Sequence, residues 1–148
     1  MADKYFDRDE AEELLPIIEP CLEQARDGKR KMDGLDQEIS QAAARIMMLG
    51  GSIPPYAELA KKRAEREQSK AKLMEALNKI QETGCIVKDL ELGLIDFPSL
   101  LKGEEVYLCW KLGEERIGYW HGIHEGFAAR KPLDGSNDSS ELPPDRVQ

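Results

Sequence analysis

Lys88-Asp-Leu-Glu-Leu-Gly-Leu-Ile-Asp-Phe-Pro98, Tyr107-Leu-Cys-Trp110 and Tyr119-Trp-His-Gly-Ile-His-Glu-Gly-Phe127 are the stretches on which the reading of this chain turns. Between residues 105 and 112 apolar and polar side chains alternate. Val106, Leu108, Trp110 and Leu112 fall on one face, and Tyr107, Cys109 and Lys111 on the other. A period of two marks a half-buried strand. Further short strands are predicted over 85–89 and over 94–97, the second closed by Pro98. Residues 99–103 read as a turn region and 113–115 as a tight connection. Residues 116–121 then return as a hairpin partner, with Ile117, Tyr119 and His121 on one face. Together these make residues 88–122 a small antiparallel β meander. A sheet of this size is marginal alone and needs a helix across one face.

Upstream the period changes. Ala11, Ile18, Ala25, Met32, Ile39 and Ile46 form one series, and Leu14, Cys21, Gly28, Leu35, Ala42 and Leu49 a second. This three-four spacing is that of a coiled-coil seam, with only Gly28 offering no side chain. Asp7 and Glu10 form a capping box at the helix start, with Phe6 as a hydrophobic staple. Pro16 and Pro20 each remove a backbone donor and crowd the preceding turn. A kink or break is therefore expected there, with 8–15 as a short leading helix. Gly50-Gly-Ser-Ile-Pro-Pro55 ends the first helix. A second helix is predicted over 56–83, with Tyr56, Leu59, Leu73, Leu77 and Ile80 on its apolar side, and Gly84 stops it. Two long helices joined by a short turn run antiparallel. The first pattern is longer, so its N-terminal part should lie beside whatever follows residue 84.

The predicted fold is thus α+β. Residues 1–84 form a helical hairpin, 85–133 a small β module packed on its base, and 134–148 a polar, Pro-rich flexible tail. The 148 residues suit one modest core. A net charge of −8 disfavours general nucleic-acid binding. No apolar run is long enough to span a bilayer, and the start of the chain has no signal-peptide pattern. Three widely spaced cysteines, Cys21, Cys85 and Cys109, read as reduced thiols in a cytoplasmic protein.

No phosphate-binding loop, dinucleotide fingerprint, nucleophile elbow or zinc-cysteine cluster is present, so no cofactor is named. What chemistry there is sits in the β module. His121 and His124 are three apart and would face one metal if the chain turns there, with Asp96, Asp89 or Glu125 completing the set. Asp96 lies between Ile95 and Phe97 and needs a partner if buried: His121, Arg116 or Arg130. An Asp–His pair acts as a general base only beside a nucleophile or substrate, so enzymatic activity is left open. Cys109 reads as a core thiol within its strand. Trp110, Tyr119, Trp120 and Phe127, near Arg130, form either core or the wall of a small-ligand pocket.

These stretches resemble a bacterial family catalogued as domain of unknown function 2203. The resemblance covers nearly the whole chain apart from the tail. It rests on Tyr5-Phe6, Glu10-Ala11, Leu14-Leu-Pro16, Gly84, Lys88-Asp-Leu90, Gly93-Leu-Ile-Asp-Phe-Pro98 and Gly103. It continues through Val106-Tyr-Leu-Cys-Trp110, Gly113-Glu114, Tyr119-Trp-His121, Gly126-Phe127 and Arg130. Asp7 stands where the family pattern has Thr or Ser, and His124 where an acidic residue is usual. The resemblance implies a small cytosolic bacterial protein and no particular activity. It implies that Asp89, Asp96, Trp110, His121 and Arg130 belong to the family pattern.

Two functions are expected. The first is a structural or interaction module that forms a homo-oligomer through its helical hairpin. The second is a small-ligand or metal-binding protein, with Asp89, Asp96, Trp110, His121 and Arg130 lining the ligand site. In its metal form the donors are Asp96, His121, His124 and Glu125. Neither reading involves nucleic acid or a membrane.

Overall fold

The computed structural model describes residues 4–49 and 56–133. The expected 50–55 turn and 134–148 tail lie outside the described residues. Helix α1 spans Arg8–Leu49 and α2 spans Tyr56–Glu82. Five strands follow: β1 Ile86–Asp89, β2 Leu94–Leu101, β3 Glu104–Lys111, β4 Tyr119–Gly122 and β5 Lys131–Pro132, with a 3-10 turn, Phe127–Ala129, before β5. They form one antiparallel sheet in chain order, β1-β2-β3-β4-β5. Among the described residues no helix is long and apolar enough to cross a membrane.

The helix start is as expected. Glu10 N–H donates to Asp7 Oδ1 at 2.8 Å, and Asp7 N–H donates to Glu10 Oε1 at 3.0 Å. Two orphan donors at the helix start are thereby met by carboxylates. The two helices run antiparallel. Gly28 faces Ser69 and Leu73, Asp36 pairs with Arg66, and Glu38 accepts from Lys62 Nζ at 2.8 Å. The missing side chain at Gly28 is used: a Cβ there would sit 3.5 Å from the Leu73 Cβ, so the helices approach closely. The excess of α1 does lie under the sheet. Ala11, Ile18 and Leu22 share a core with Ile95, Phe97, Leu101, Val106, Leu108, Trp110 and Trp120. The hairpin and the β module thus share α1, whose N-terminal turns supply one wall of the sheet's core.

Four local expectations are corrected. First, α1 runs unbroken through Pro16 and Pro20. Both prolines are exposed, while Ile18 and Leu22 between and beyond them are fully buried. The packed face holds the helix against a cost of about 3 kcal/mol per proline. Second, β2 does not close at Pro98 but continues to Leu101. Pro98 sits beyond the end of β1, and its carbonyl accepts from Phe6 N–H at 2.7 Å. Its backbone polar side faces the chain's beginning, where a missing N–H costs no ladder bond. Third, the 116–118 segment is not strand, and β4 begins at Tyr119. Ile117 is buried in the core, and its N–H donates to Glu12 Oε2 at 2.9 Å on α1. It therefore does not share a face with Tyr119 and His121. Fourth, Tyr56 is exposed rather than on the apolar seam of α2, where Ser69 and Ala76 are buried instead.

Candidate functional site

Strand alternation decides where the chemistry lies. Residues 95, 97, 108, 110 and 120 point into the core over α1. Their neighbours 96, 107, 109, 119 and 121 therefore occupy the opposite face. Register groups them: Asp96 is paired with Cys109, Cys109 with Tyr119, and Tyr107 with His121. Directly paired residues share a face, so the side of the sheet turned away from α1 carries a polar row across its three central strands.

That row is buried. Asp96 and Cys109 are each 1% exposed and His121 is 2% exposed. One donor atom from each of the three lies within 4.8 Å of the others. His121 reaches over β3: its Nε2 is 3.1 Å from Asp96 Oδ1. Its Nδ1 is 2.8 Å from the Gly122 carbonyl oxygen, which only accepts, so Nδ1 carries a proton. Burial opposes a charge on this imidazole, yet its hydrogen bonds to Asp96, Cys109 and Gly122 outweigh burial and push its pKa up to about 10. The second oxygen of Asp96, Oδ2, is buried and has no hydrogen-bond partner.

Among the described residues, side chains roof this face. The Tyr107 ring lies 5.6 Å from His121, and Lys88 Nζ sits 5.2 Å from the Tyr107 centroid. The Arg130 guanidinium is 3.9 Å from the Tyr119 ring centroid and 4.3 Å from that of Phe127. Glu114 grips the same guanidinium at 2.6 and 3.3 Å. Burial works against the Arg130 charge, but Glu114 and then Cys109 hold it and raise its pKa.

The sequence-derived site residues thus divide. Asp96 and His121 meet, and Arg130 reaches the same face. Trp110 lies on the other face, in the core, with its Nε1–H donating to the Glu114 carbonyl at 2.9 Å. Asp89 ends β1, and its Oδ1 accepts from Leu92 N–H in the following turn at 2.9 Å. His124 is exposed. Glu125 caps Gly122 N–H at 2.7 Å and pairs with Lys131 at 2.8 Å, and these partners hold its carboxyl below the usual range. Of the four expected metal donors only Asp96 and His121 come together, and Cys109 is the third. Glu114, which ties Arg130 to the β3–β4 connection, was also not foreseen.

Among the described residues, open clefts lie beside the module. One, about 550 Å³, is lined by Glu12, Pro16, Trp110, Glu114 and Arg116 among others. The second, about 480 Å³, is lined by Glu104, Trp120, Ile123, His124 and Lys131 among others. Neither is lined by Asp96, Cys109 or His121. A substrate in these clefts does not meet the thiol, so nucleophilic chemistry by Cys109 has no access route there. A nitrogen, a sulfur and an oxygen donor within 4.8 Å of one another can hold a metal ion.

The class so defined is an α+β protein in which a helical hairpin lends one helix to an antiparallel sheet, with a buried Asp–Cys–His group on the sheet's free face. The chain belongs to the family described as "Uncharacterized conserved protein (DUF2203)", whose model matches residues 4–133. No curated protein and no solved structure matches the chain.

Proposed function

We propose that this chain is a metal-binding protein whose β module holds a divalent, thiophilic transition ion through Asp96, Cys109 and His121. The observation that carries the reading is the approach of three buried donors to within 4.8 Å of one another. Two details support it. His121 Nδ1 is committed to a backbone carbonyl, which fixes the ring and leaves Nε2 as the inward donor. Such outer contacts are typical of metal-bound histidines. Asp96 Oδ2 is a buried acceptor without a donor, which costs about 1–3 kcal/mol unless something positive meets it. A mixed N/S/O set suits zinc and neighbouring borderline ions better than magnesium or calcium. Binding would displace the Nε2 and thiol protons, so uptake releases acid.

The test is metal content of untagged protein, with cobalt(II) as a spectroscopic probe. Near-stoichiometric metal, and a sulfur-to-cobalt absorption band lost in Cys109→Ser and His121→Ala, is the expected result. Metal-free protein that gives no cobalt band sinks the proposal.

A second reading, self-association through the hairpin, is favoured by Met47 and Met48. They are 85% and 86% exposed near Leu49 and Tyr56, which are exposed too. Apolar side chains grouped at one end of a rod suit a contact between copies. Light scattering should then show a dimer or larger, reduced by Met48→Glu. A strict monomer at micromolar concentration rules it out.

A further inference from the structure

The same face of the sheet carries one more charged group, and three elements converge on it. Tyr119 of β4 and Phe127 of the 3-10 turn stack against the Arg130 guanidinium, and Glu114 of the β3–β4 connection grips it by two oxygens. A surface ion pair needs only one partner and contributes little. Here a planar fork is held on two rings and a carboxylate, an arrangement that suits arginine and not lysine. The backbone beneath it is pinned as well. Arg130 N–H donates to the Phe127 carbonyl at 3.1 Å, and Leu133 N–H to the Gly118 carbonyl at 2.7 Å.

Register places what lies underneath. Tyr119 is the direct partner of Cys109 across β3 and β4. A guanidinium stacked on Tyr119 therefore stands beside the thiol. Cys109 is close enough to help hold the Arg130 charge. The thiol residue is 1% exposed, while the Arg130 side chain keeps 14% of its surface in contact with solvent. Among the described residues the Arg130 side chain thus lies on the outer side of this face, and it can turn outward without breaking the sheet.

We infer that Arg130 is a positioning residue that closes over Cys109 and sets the rate at which anything reaches the site. Its place in metal exchange rests on the metal reading above, whereas its place over the thiol does not. Closed, its N–H groups face the sulfur and keep out water. Its positive charge also repels a cation approaching from outside, so entry and exit wait for the guanidinium to swing off Tyr119. Glu114 is the catch that opposes this swing.

The experiment compares wild type, Arg130→Ala, Arg130→Lys and Glu114→Gln. Metal-free protein is treated with iodoacetamide, and labelling of Cys109 and Cys85 is followed separately by peptide mass spectrometry. Cys85 is a buried thiol beside the end of α2, bonded to Thr83, and reports general loosening. Arg130→Ala should label Cys109 roughly tenfold faster or more while Cys85 is unchanged, as for a local opening. Glu114→Gln should fall between, and Arg130→Lys should restore only part of the protection. In cobalt-loaded protein the same order should hold for release to EDTA. Equal Cys109 labelling in wild type and Arg130→Ala overturns the lid, and so does parallel acceleration at Cys85. Cobalt binding with unchanged release rates overturns the lid but leaves the metal reading. Failure of wild type to bind cobalt removes the metal reading, and the labelling order still decides the lid.

Discussion

Raising the pH of metal-free protein should loosen it through one side chain, His121. Its proton is held in the folded state by Asp96 Oδ1 at 3.1 Å and by the Gly122 carbonyl at 2.8 Å. The folded pKa is pushed up to about 10 from an ordinary 6.5. Below the lower value both states carry the proton, and the stabilisation is complete. Between the two, the unfolded chain has released its proton and the folded chain has not. Stability then falls as pH rises, by up to about 1.4 kcal/mol per unit from this group, and the loss ends above the folded value. Integrated over the window, the change is about 3–5 kcal/mol, a large share of a small domain's stability. The pair is nearly solvent-free, so salt should screen it little. The assay is urea unfolding followed by fluorescence of the buried Trp110 and Trp120, at intervals from about pH 6 to about pH 10. Asp96→Asn removes the carboxylate and should flatten the slope. His121→Gln cannot titrate and isolates the background from lysines and thiols. A wild-type slope that matches His121→Gln would show that the imidazole is not held charged, and the account of the Asp96–His121 pair would fall.

Gly93→Ala should destabilise by about 2–4 kcal/mol, since its φ is +73° and a Cβ would meet the Leu112 Cβ at 2.6 Å. Denaturant midpoints check it, and a neutral result would mean that the β1–β2 turn relaxes freely. Pro20→Ala should raise stability by about 1–3 kcal/mol, because it restores an α1 backbone donor at an exposed position while leaving Ile18 and Leu22 packed. A loss of stability there would show that the proline sets a bend the core requires.

Periodicity carried the architecture from sequence. The three-four spacing of α1 and the two-residue alternation of β3 lead to packed faces, and both faces form, although Leu49 of the α1 series is exposed and Leu22, outside it, is buried. The site was legible only in part, and β2 shows why. Reading Pro98 as a strand end left no way to count pairs across β2 and β3. The turn is in fact the two residues Lys102 and Gly103, with φ of 52° and 83°. Positive values at both positions are typical of a two-residue hairpin turn. Counting outward from Leu101 and Glu104 then places Asp96 opposite Cys109. With that register, the thiol would have been grouped with Asp96 and His121 from sequence alone. His124 was preferred because it is near in sequence, but the chain turns away after Gly122 and leaves it exposed. Trp110 failed by parity: one step from Cys109 along a strand is the other side of the sheet. The unbroken α1 was not legible because the cost of a proline is local, whereas the packing that outweighs it comes from strands far along the chain.

That unbroken helix has a mechanical consequence. At 42 residues α1 is about 63 Å long. Its first turns are buried beneath β2 and β3, and its last turns stand clear of the sheet. It is a lever whose short arm is embedded in the sheet's underside, with no joint between the arms. A tilt of its far end, carried with the α2 packed along it, would reach the sheet through Ile18 and Leu22, which share one core with Phe97 and Leu108 of the strands that carry Asp96 and Cys109.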